Sequence, residues 1–232
     1  MLHWVLMGVI GVYWYYKVFI LKILIGSQKG GCGKSTISTN LAAALAVMGK
    51  DVILIDADQQ GSSTNWYLDR SKNKDLAKVN SIQKFEDIRP AVEDLSERYD
   101  VVIIDAAGRD SVELRTGMMV ADMLIMPIRP SQFDLDTVPN VLDIYKNAKV
   151  FNKNLKFYSV ITMGPTNPIV NESRDAECFF DQFEEIKLLR TIVRDRKVYR
   201  DAICGEGRGV VEMSNVKAKR EIEELLKEVV NE

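Results

Sequence analysis

An apolar run from Phe19 to Ile25 leads into Lys29-Gly30-Gly31-Cys32-Gly33-Lys34-Ser35-Thr36, and an alanine-rich helical pattern follows from Ser35 to Met48. A strand, a glycine–lysine turn and a helix in immediate succession leave few folds open. Gly30, Gly31 and Gly33 let the backbone point its N–H groups inward around phosphate oxygens, where side chains would crowd them. The motif assigns Lys34 to the β- and γ-phosphates and the Ser35 hydroxyl to Mg²⁺. Lys29, Gly30, Gly31, Cys32, Gly33, Lys34, Ser35 and Thr36 are therefore the expected nucleotide-binding set. Counted from Gly26, the strict G-x-x-x-x-G-K-[ST] spacing is off by two, and a second lysine, Lys29, stands ahead of the glycines.

Downstream, strand and helix patterns alternate, as a parallel sheet covered on both faces requires. Ile37, Leu41, Ala44, Leu45 and Met48 keep helical spacing, and Gly49 supplies a stop. Asp51–Asp56, Val101–Asp105 and Met123–Met126 read as buried strands, with a further strand from Lys156 to Thr162. Residues 134–149 and 172–185 read as helices. The expected fold is α/β: one domain over residues 19–232, a doubly wound, mostly parallel sheet with helices on both faces. Ligands of such sheets lie beyond the carboxyl ends of the strands, where Asp56 and Asp105 both fall.

A chain of 232 residues is long enough to bury a sizeable core, and a net charge of −2 confines any nucleic-acid surface to a local patch. Cys32, Cys178 and Cys204 show no paired spacing, which argues for a reducing compartment and against an iron–sulfur or zinc site. Residues 1–16, MLHWVLMGVIGVYWYY, carry no Lys, Arg, Asp or Glu. They fall short of a membrane span and lack the basic start and small-residue cleavage site of a signal peptide. Three readings fit residues 1–18: a membrane-associating segment, an extra structural element, or an extension outside the functional domain. The last is the one adopted.

The sequence Lys-Gly-Gly-x-Gly-Lys-Ser resembles the deviant Walker ATPases of the ParA/MinD group. The likeness covers nearly everything from residue 20 onward. It implies an ATPase using ATP and Mg²⁺, in which Lys29 crosses the interface of an ATP-sandwich homodimer to the partner's phosphates. Val101-Val102-Ile103-Ile104-Asp105 resembles a Walker B strand whose acid orients the metal. Ile55-Asp56-Ala57-Asp58-Gln59-Gln60-Gly61 resembles the group's first switch, usually Asp-x-Asp-Pro-Gln-Gly. By that likeness Asp58 orients the attacking water and Asp56 supports the metal region. A turn or helix-cap role for Asp58 ahead of Ser62-Ser63-Thr64 stays open, and Gln59 replaces the usual proline. The implied catalytic residues are Lys29, Lys34 and Asp58, and the implied metal residues are Ser35, Asp56 and Asp105. Asp105-Ala106-Ala107-Gly108 resembles short plasmid partition ATPases, with Gly108 facing the γ-phosphate. The run Asp122–Ser131 and Thr137 resemble the same subgroup.

From Lys187 to Arg220, ten basic residues face four acids. Such an excess binds nucleic-acid phosphates without reading sequence, and a dimer doubles it. Arg190, Arg194, Arg196, Lys197, Arg200, Lys217, Lys219 and Arg220 are the candidate DNA contacts; a solvated, ion-paired surface is the alternative. The segment around Tyr199, Ala202 and Gly205 resembles the group's stretch beside adenine. At the tail, Ile222, Leu225, Leu226, Val229 and Val230 form an apolar stripe behind a mostly acidic face. An acidic face is repelled by anionic lipid, so this helix is expected to dock on its own domain. The expected function is ATP-dependent DNA partition: a cytoplasmic, nucleoid-associated homodimer on non-specific DNA, reset by a ParB-like centromere-binding protein. A MinD-like membrane-positioning ATPase and an ATP-gated scaffold with little hydrolysis are the alternatives.

Overall fold

The computed structural model describes residues 20–167 and 172–230. The proposed extension, residues 1–18, lies outside the described residues. Strand β1 (Leu21–Ile25) leads through the glycine–lysine loop into helix α1 (Lys34–Val47), and β2 (Val52–Ala57) follows. Then come α2 (Ser62–Arg70), β3 (Asn80–Gln83), α3 (Arg89–Ser96), β4 (Val101–Ala106), α4 (Val112–Met118) and β5 (Met123–Ile128). The remainder is α5 (Gln132–Leu135), α6 (Val138–Lys149), β6 (Lys156–Gly164), α7 (Glu172–Phe180), β7 (Lys187–Arg194), α8 (Lys197–Ile203) and α9 (Val216–Val230). A single 3₁₀ turn, Val210–Glu212, precedes α9.

The strands lie in the order β3-β2-β4-β1-β5-β6-β7, and every pairing is parallel. Parallel strands need crossover connections, so helices cover both faces and the central strands are buried on both sides. That is why β2, β4 and β5 read VILIDA, VVIIDA and MLIMPI without polar alternation, and all are buried along their length. One face carries α1, α2, α8 and α9, joined through Leu41, Trp66, Ala202 and Leu225. The other carries α3, α4, α6 and α7, joined through Val92, Leu114, Val141 and Phe180. The chain winds outward in both directions from β4 and β1, so a crevice opens at their carboxyl ends.

Three expectations shift at their edges. The helix expected over 134–149 is two, α5 and α6, because Pro139 cannot donate the hydrogen bond a continuous helix needs; it sits instead in the first turn of α6. The helix expected over 172–185 stops at Phe180, where turns bonded Phe183 N to Phe180 O and Ile186 N to Phe183 O carry the chain into β7. In α9, Ile222, Leu225, Leu226 and Val229 are buried, but Val230 is 50% exposed. One residue past Val229 is a 100° rotation off the packed face, and Ala218 completes the stripe instead. No helix among the described residues is long and apolar enough to cross a membrane.

Candidate functional site: a loop whose carbonyls are held outward

The phosphate loop lies at the end of β1, and Gly33, with φ of +92°, forms the N-cap of α1. No side chain caps this helix, so its first N–H groups are left for a ligand. Three of the loop's carbonyls are engaged by side chains. Lys29 O accepts from Lys34 Nζ at 3.0 Å and from Ser27 Oγ at 3.1 Å. Gly31 O accepts from an Arg129 guanidinium nitrogen, and Cys32 O accepts from Thr162 Oγ1 at 2.7 Å. With these acceptors satisfied, the uncapped N–H groups at the start of α1 are the loop's free polar groups toward a ligand. Arg129 and Thr162 come from the ends of β5 and β6, 98 and 130 residues downstream of the carbonyls they hold. The sequence reading missed both. The only signal was their place at the carboxyl ends of apolar strands.

The loop opens into a cavity of about 550 Å³ lined by Gly30, Gly31, Gly33, Lys34, Ser35, Thr36, Asp58, Gln59, Gln60, Ser62, Ala107, Gly108, Arg109, Met163 and Ile203. Most of the expected nucleotide set lines it. Lys29 and Cys32 do not: the Cys32 thiol is buried and lies 3.0 Å from Ser27 Oγ, so that side chain packs the loop from behind. Gly108 closes the opposite wall. A Cβ there would stand 2.7 Å from both Lys29 O and Lys34 Nζ, so only glycine permits this approach. Lys34 itself is 7% exposed.

The three acids divide their work. Asp58 lines the cavity, and its Oδ1 accepts from Gln60 N at 3.0 Å. The N-cap of α2 is Gly61, so Asp58 shapes the turn without capping the helix. Asp56 is fully buried, and its carboxylate accepts from Asp58 N (3.2 Å), Thr64 N (2.7 Å) and Thr64 Oγ1 (2.8 Å). Through these donors Asp56 also fixes the Asp58 turn. Asp105 is 1% exposed; its Oδ2 accepts from Ser63 Oγ at 2.5 Å, while its buried Oδ1 has no partner. Burial pushes its pKa up to about 6, opposed by the Ser63 hydrogen bond and by the neighbouring Ser35 hydroxyl and Lys34 charge. An unsatisfied carboxylate oxygen behind Ser35 suits a hydrated divalent cation, and the oxygen donors are of the type Mg²⁺ takes.

A narrower depression adjoins the cavity through Gly33, Thr36 and Met163 and runs along Val193, Arg194, Arg196, Tyr199 and Arg200. This is the segment expected beside adenine. The structure also shows what the basic count left out. Arg196 pairs with Glu221 at 2.6 Å with side-chain exposures of 18% and 12%, and Glu221 also accepts from Tyr199 Oη at 2.9 Å. Arg196 thus ties α8 to α9. Burial, then the charge of Glu221, pushes the Tyr199 phenol up. Lys219 and Arg220 pair along α9 with Glu223 and Glu224, Lys197 pairs with Asp201, and Arg200 pairs with Asp195. Arg194 donates to Pro165 O. The window that gave ten bases ended at Arg220, one residue before the glutamates that answer them. Arg190, Lys197, Arg200, Lys217 and Arg220 stay exposed.

A parallel sheet, a glycine loop leading into a helix and buried aspartates at neighbouring strand ends define a nucleotide-binding domain. The chain belongs to the CobQ/CobB/MinD/ParA nucleotide binding domain family, whose model matches residues 23–206. It is 31% identical over 220 residues to the maintenance of carboxysome distribution protein A of Halothiobacillus neapolitanus, covering 92% of this chain and 97% of that one. It is 26% identical over 171 residues to the chromosome-partitioning ATPase Soj of Thermus thermophilus, covering 61% of this chain and 68% of Soj. In fold it resembles apo McdA of Cyanothece, with a TM-score of 0.76 at 16% identity, covering 91% of this chain and 99% of that structure. The septum site-determining protein MinD of Pyrococcus horikoshii, solved with Mg-ADP, superposes with a TM-score of 0.72 at 20% identity, covering 90% and 96%.

Proposed function

We propose that this chain is an ATP-dependent partition ATPase that positions a cargo by binding DNA without sequence preference. The observation that carries the nucleotide part is the loop whose carbonyls are engaged by side chains, facing a cavity backed by the unsatisfied Asp105 Oδ1. Ser35 and Asp105 would hold hydrated Mg²⁺, which when bound neutralises phosphate charge. Lys34 stabilises the phosphates, Asp58 orients a water, and Gly108 presents its backbone to the far side of the same cavity. Hydrolysis is slow and partner-stimulated. Lys29, half-buried on the outer side of the loop, reaches a second copy in an ATP-sandwich homodimer.

Arg190, Lys197, Arg200, Lys217 and Arg220 are the DNA contacts this reading retains. The pairs that engage Lys197, Arg200 and Arg220 are exposed and worth little, so phosphates can replace the carboxylates. The MinD-like membrane reading is weakened because the apolar stripe of α9 is buried and Glu228 accepts from Arg190 N at 2.7 Å. A second cargo, a protein microcompartment in place of DNA, is favoured by the relative from Halothiobacillus, which this chain matches over 97% of that protein's length. A centromere-binding or cargo-adaptor protein of ParB type would reset the cycle, in a cytoplasmic, nucleoid-associated setting.

The test is binding of random duplex DNA without nucleotide, with ADP, and with ATP and Mg²⁺, across a salt series, alongside phosphate release. Binding that requires ATP and weakens steeply with salt is expected. A folded, ATP-binding protein that ignores DNA in every state overturns the DNA role.

A further inference from the structure

Strand β4 and helix α4 are joined by a short segment, Ala107 to Ser111, that is fastened at both ends. Ala107 and Gly108 carry it past the phosphate loop, where a Cβ on Gly108 would stand 2.7 Å from Lys34 Nζ. Ser111 caps α4, its side chain accepting from Leu114 N at 3.1 Å. Arg109 lies between these anchors and lines the nucleotide cavity next to Gly108. Its Cα is one peptide, about 3.8 Å, from that of the glycine packed on the loop.

An exposed arginine ordinarily turns to a neighbouring carboxylate, and two acids follow closely in the chain. Both are engaged elsewhere. Asp110 is held in a two-pronged pair with Arg115, each of its oxygens accepting at 2.7 Å. The charge of Arg109 reaches Glu113, but Glu113 Oε1 already accepts from Glu86 N at 2.8 Å. Among the described residues no acid forms an ion pair with Arg109. The cavity wall itself offers Asp58, whose Oδ1 accepts from Gln60 N. Lys34, the other cation of the wall, is buried and tied to Lys29 O. Arg109 is thus an exposed cation on an anchored backbone, at a polyphosphate site, without a protein counter-charge.

We infer that Arg109 binds the terminal phosphate of ATP and makes the site prefer ATP to ADP, a role that rests on the nucleotide reading proposed above. The loop and the start of α1 take the inner phosphates, and Gly108 stands across from them beside Lys34. The residue after Gly108 therefore lies where the phosphate chain ends. A guanidinium fork matches two oxygens of one phosphate in charge-assisted hydrogen bonds, and with ADP it has no such partner. The charge balance points the same way. Asp58 on the wall and the buried Asp56 and Asp105 behind it outnumber Lys34, so one lysine alone leaves the site acidic toward a triphosphate.

Calorimetric titrations of ADP and of β,γ-imido ATP, both with Mg²⁺, into the full-length chain test this role. Arg109→Gln should weaken the ATP analogue about tenfold and change ADP by less than about twofold. Arg109→Lys keeps the charge without the fork and should fall between the native chain and Arg109→Gln. Thermal stability without nucleotide should not move, because the side chain is exposed and unpaired. A native chain that takes neither nucleotide overturns the nucleotide reading, and the role of Arg109 falls with it. If the native chain takes both and Arg109→Gln keeps the same ratio, the nucleotide reading stands and Arg109 has no part in it. An equal loss of ADP and analogue assigns Arg109 to the shape of the loop and also overturns the role. So does a deficit confined to high protein concentration, which would place Arg109 between two copies.

Discussion

The Ser63 hydroxyl donates to Asp105 at 2.5 Å, so the helix that follows the Asp58 turn is bonded to the carboxyl end of β4. The Asp58 turn and the Asp105 segment thus share one hydrogen bond. Ser63→Ala removes a donor that favours the ionised carboxylate. Mg²⁺-dependent nucleotide affinity is expected to fall about tenfold, the scale of a charged hydrogen bond. Titrations with and without Mg²⁺ should show the loss only when the metal is present.

Asp105 also sets a pH dependence. Its folded pKa of about 6 lies above the ordinary aspartate value of 3.8, so the folded state holds this proton more tightly than the unfolded chain. Without nucleotide or metal, stability should therefore fall as pH rises from about 4 to about 6, by roughly 3 kcal/mol for this group. Asp105→Asn should flatten that slope in thermal scans and raise stability at neutral pH. It should also abolish the metal dependence of nucleotide binding, which in the native protein weakens as pH drops through about 6.

Gly108→Ala tests the close approach of the segment after β4 to the phosphate loop. A Cβ 2.7 Å from both the Lys29 carbonyl and Lys34 Nζ has to push one wall outward. Nucleotide affinity should drop at least tenfold while thermal stability changes by less than about 1 kcal/mol, since Gly108 is part-exposed. Calorimetry on the variant separates the two.

Arg70 and Glu212 form a two-pronged ion pair at 2.8 and 2.7 Å, with side-chain exposures of 3% and 9%. The same guanidinium donates to Gly207 O and Ala77 O, fastening α2 to the segment before α9. Arg70→Ala should cost about 3–5 kcal/mol, because Glu212 is left charged and buried. Arg70→Met with Glu212→Leu should recover most of that loss, as read by denaturant unfolding.

The two loop lysines should separate cleanly. Lys34→Ala is expected to abolish nucleotide binding by the monomer. Lys29→Ala should spare it and remove ATP-dependent dimerisation and turnover, followed by light scattering and phosphate release. Undiminished turnover in the Lys29 variant would rule out a cross-interface role.

The strands were legible because a parallel sheet buries both faces and so writes unbroken apolar runs ending in Asp56 and Asp105. The loop was legible because three glycines and two lysines have few other uses at that spacing. Long-range contacts were not. Nothing local marks Arg129 or Thr162 as holders of the Gly31 and Cys32 carbonyls, since the approach depends on β5 and β6 stacking beside β1. The bonds that hold Asp56 were hidden for the same reason: Thr64 reaches it only once α2 folds back. The partner of Arg196 was hidden too, because Glu221 lies across a helix–helix contact that no window ending at Arg220 contains.

The bond from Lys34 to the Lys29 carbonyl, 3.0 Å long, uses one of the ammonium's three donors. Two remain for phosphate, so the backbone itself holds the lysine in place while its charge stays available. Part of the cost of ordering that long side chain is thereby met within the fold and not at the moment of binding.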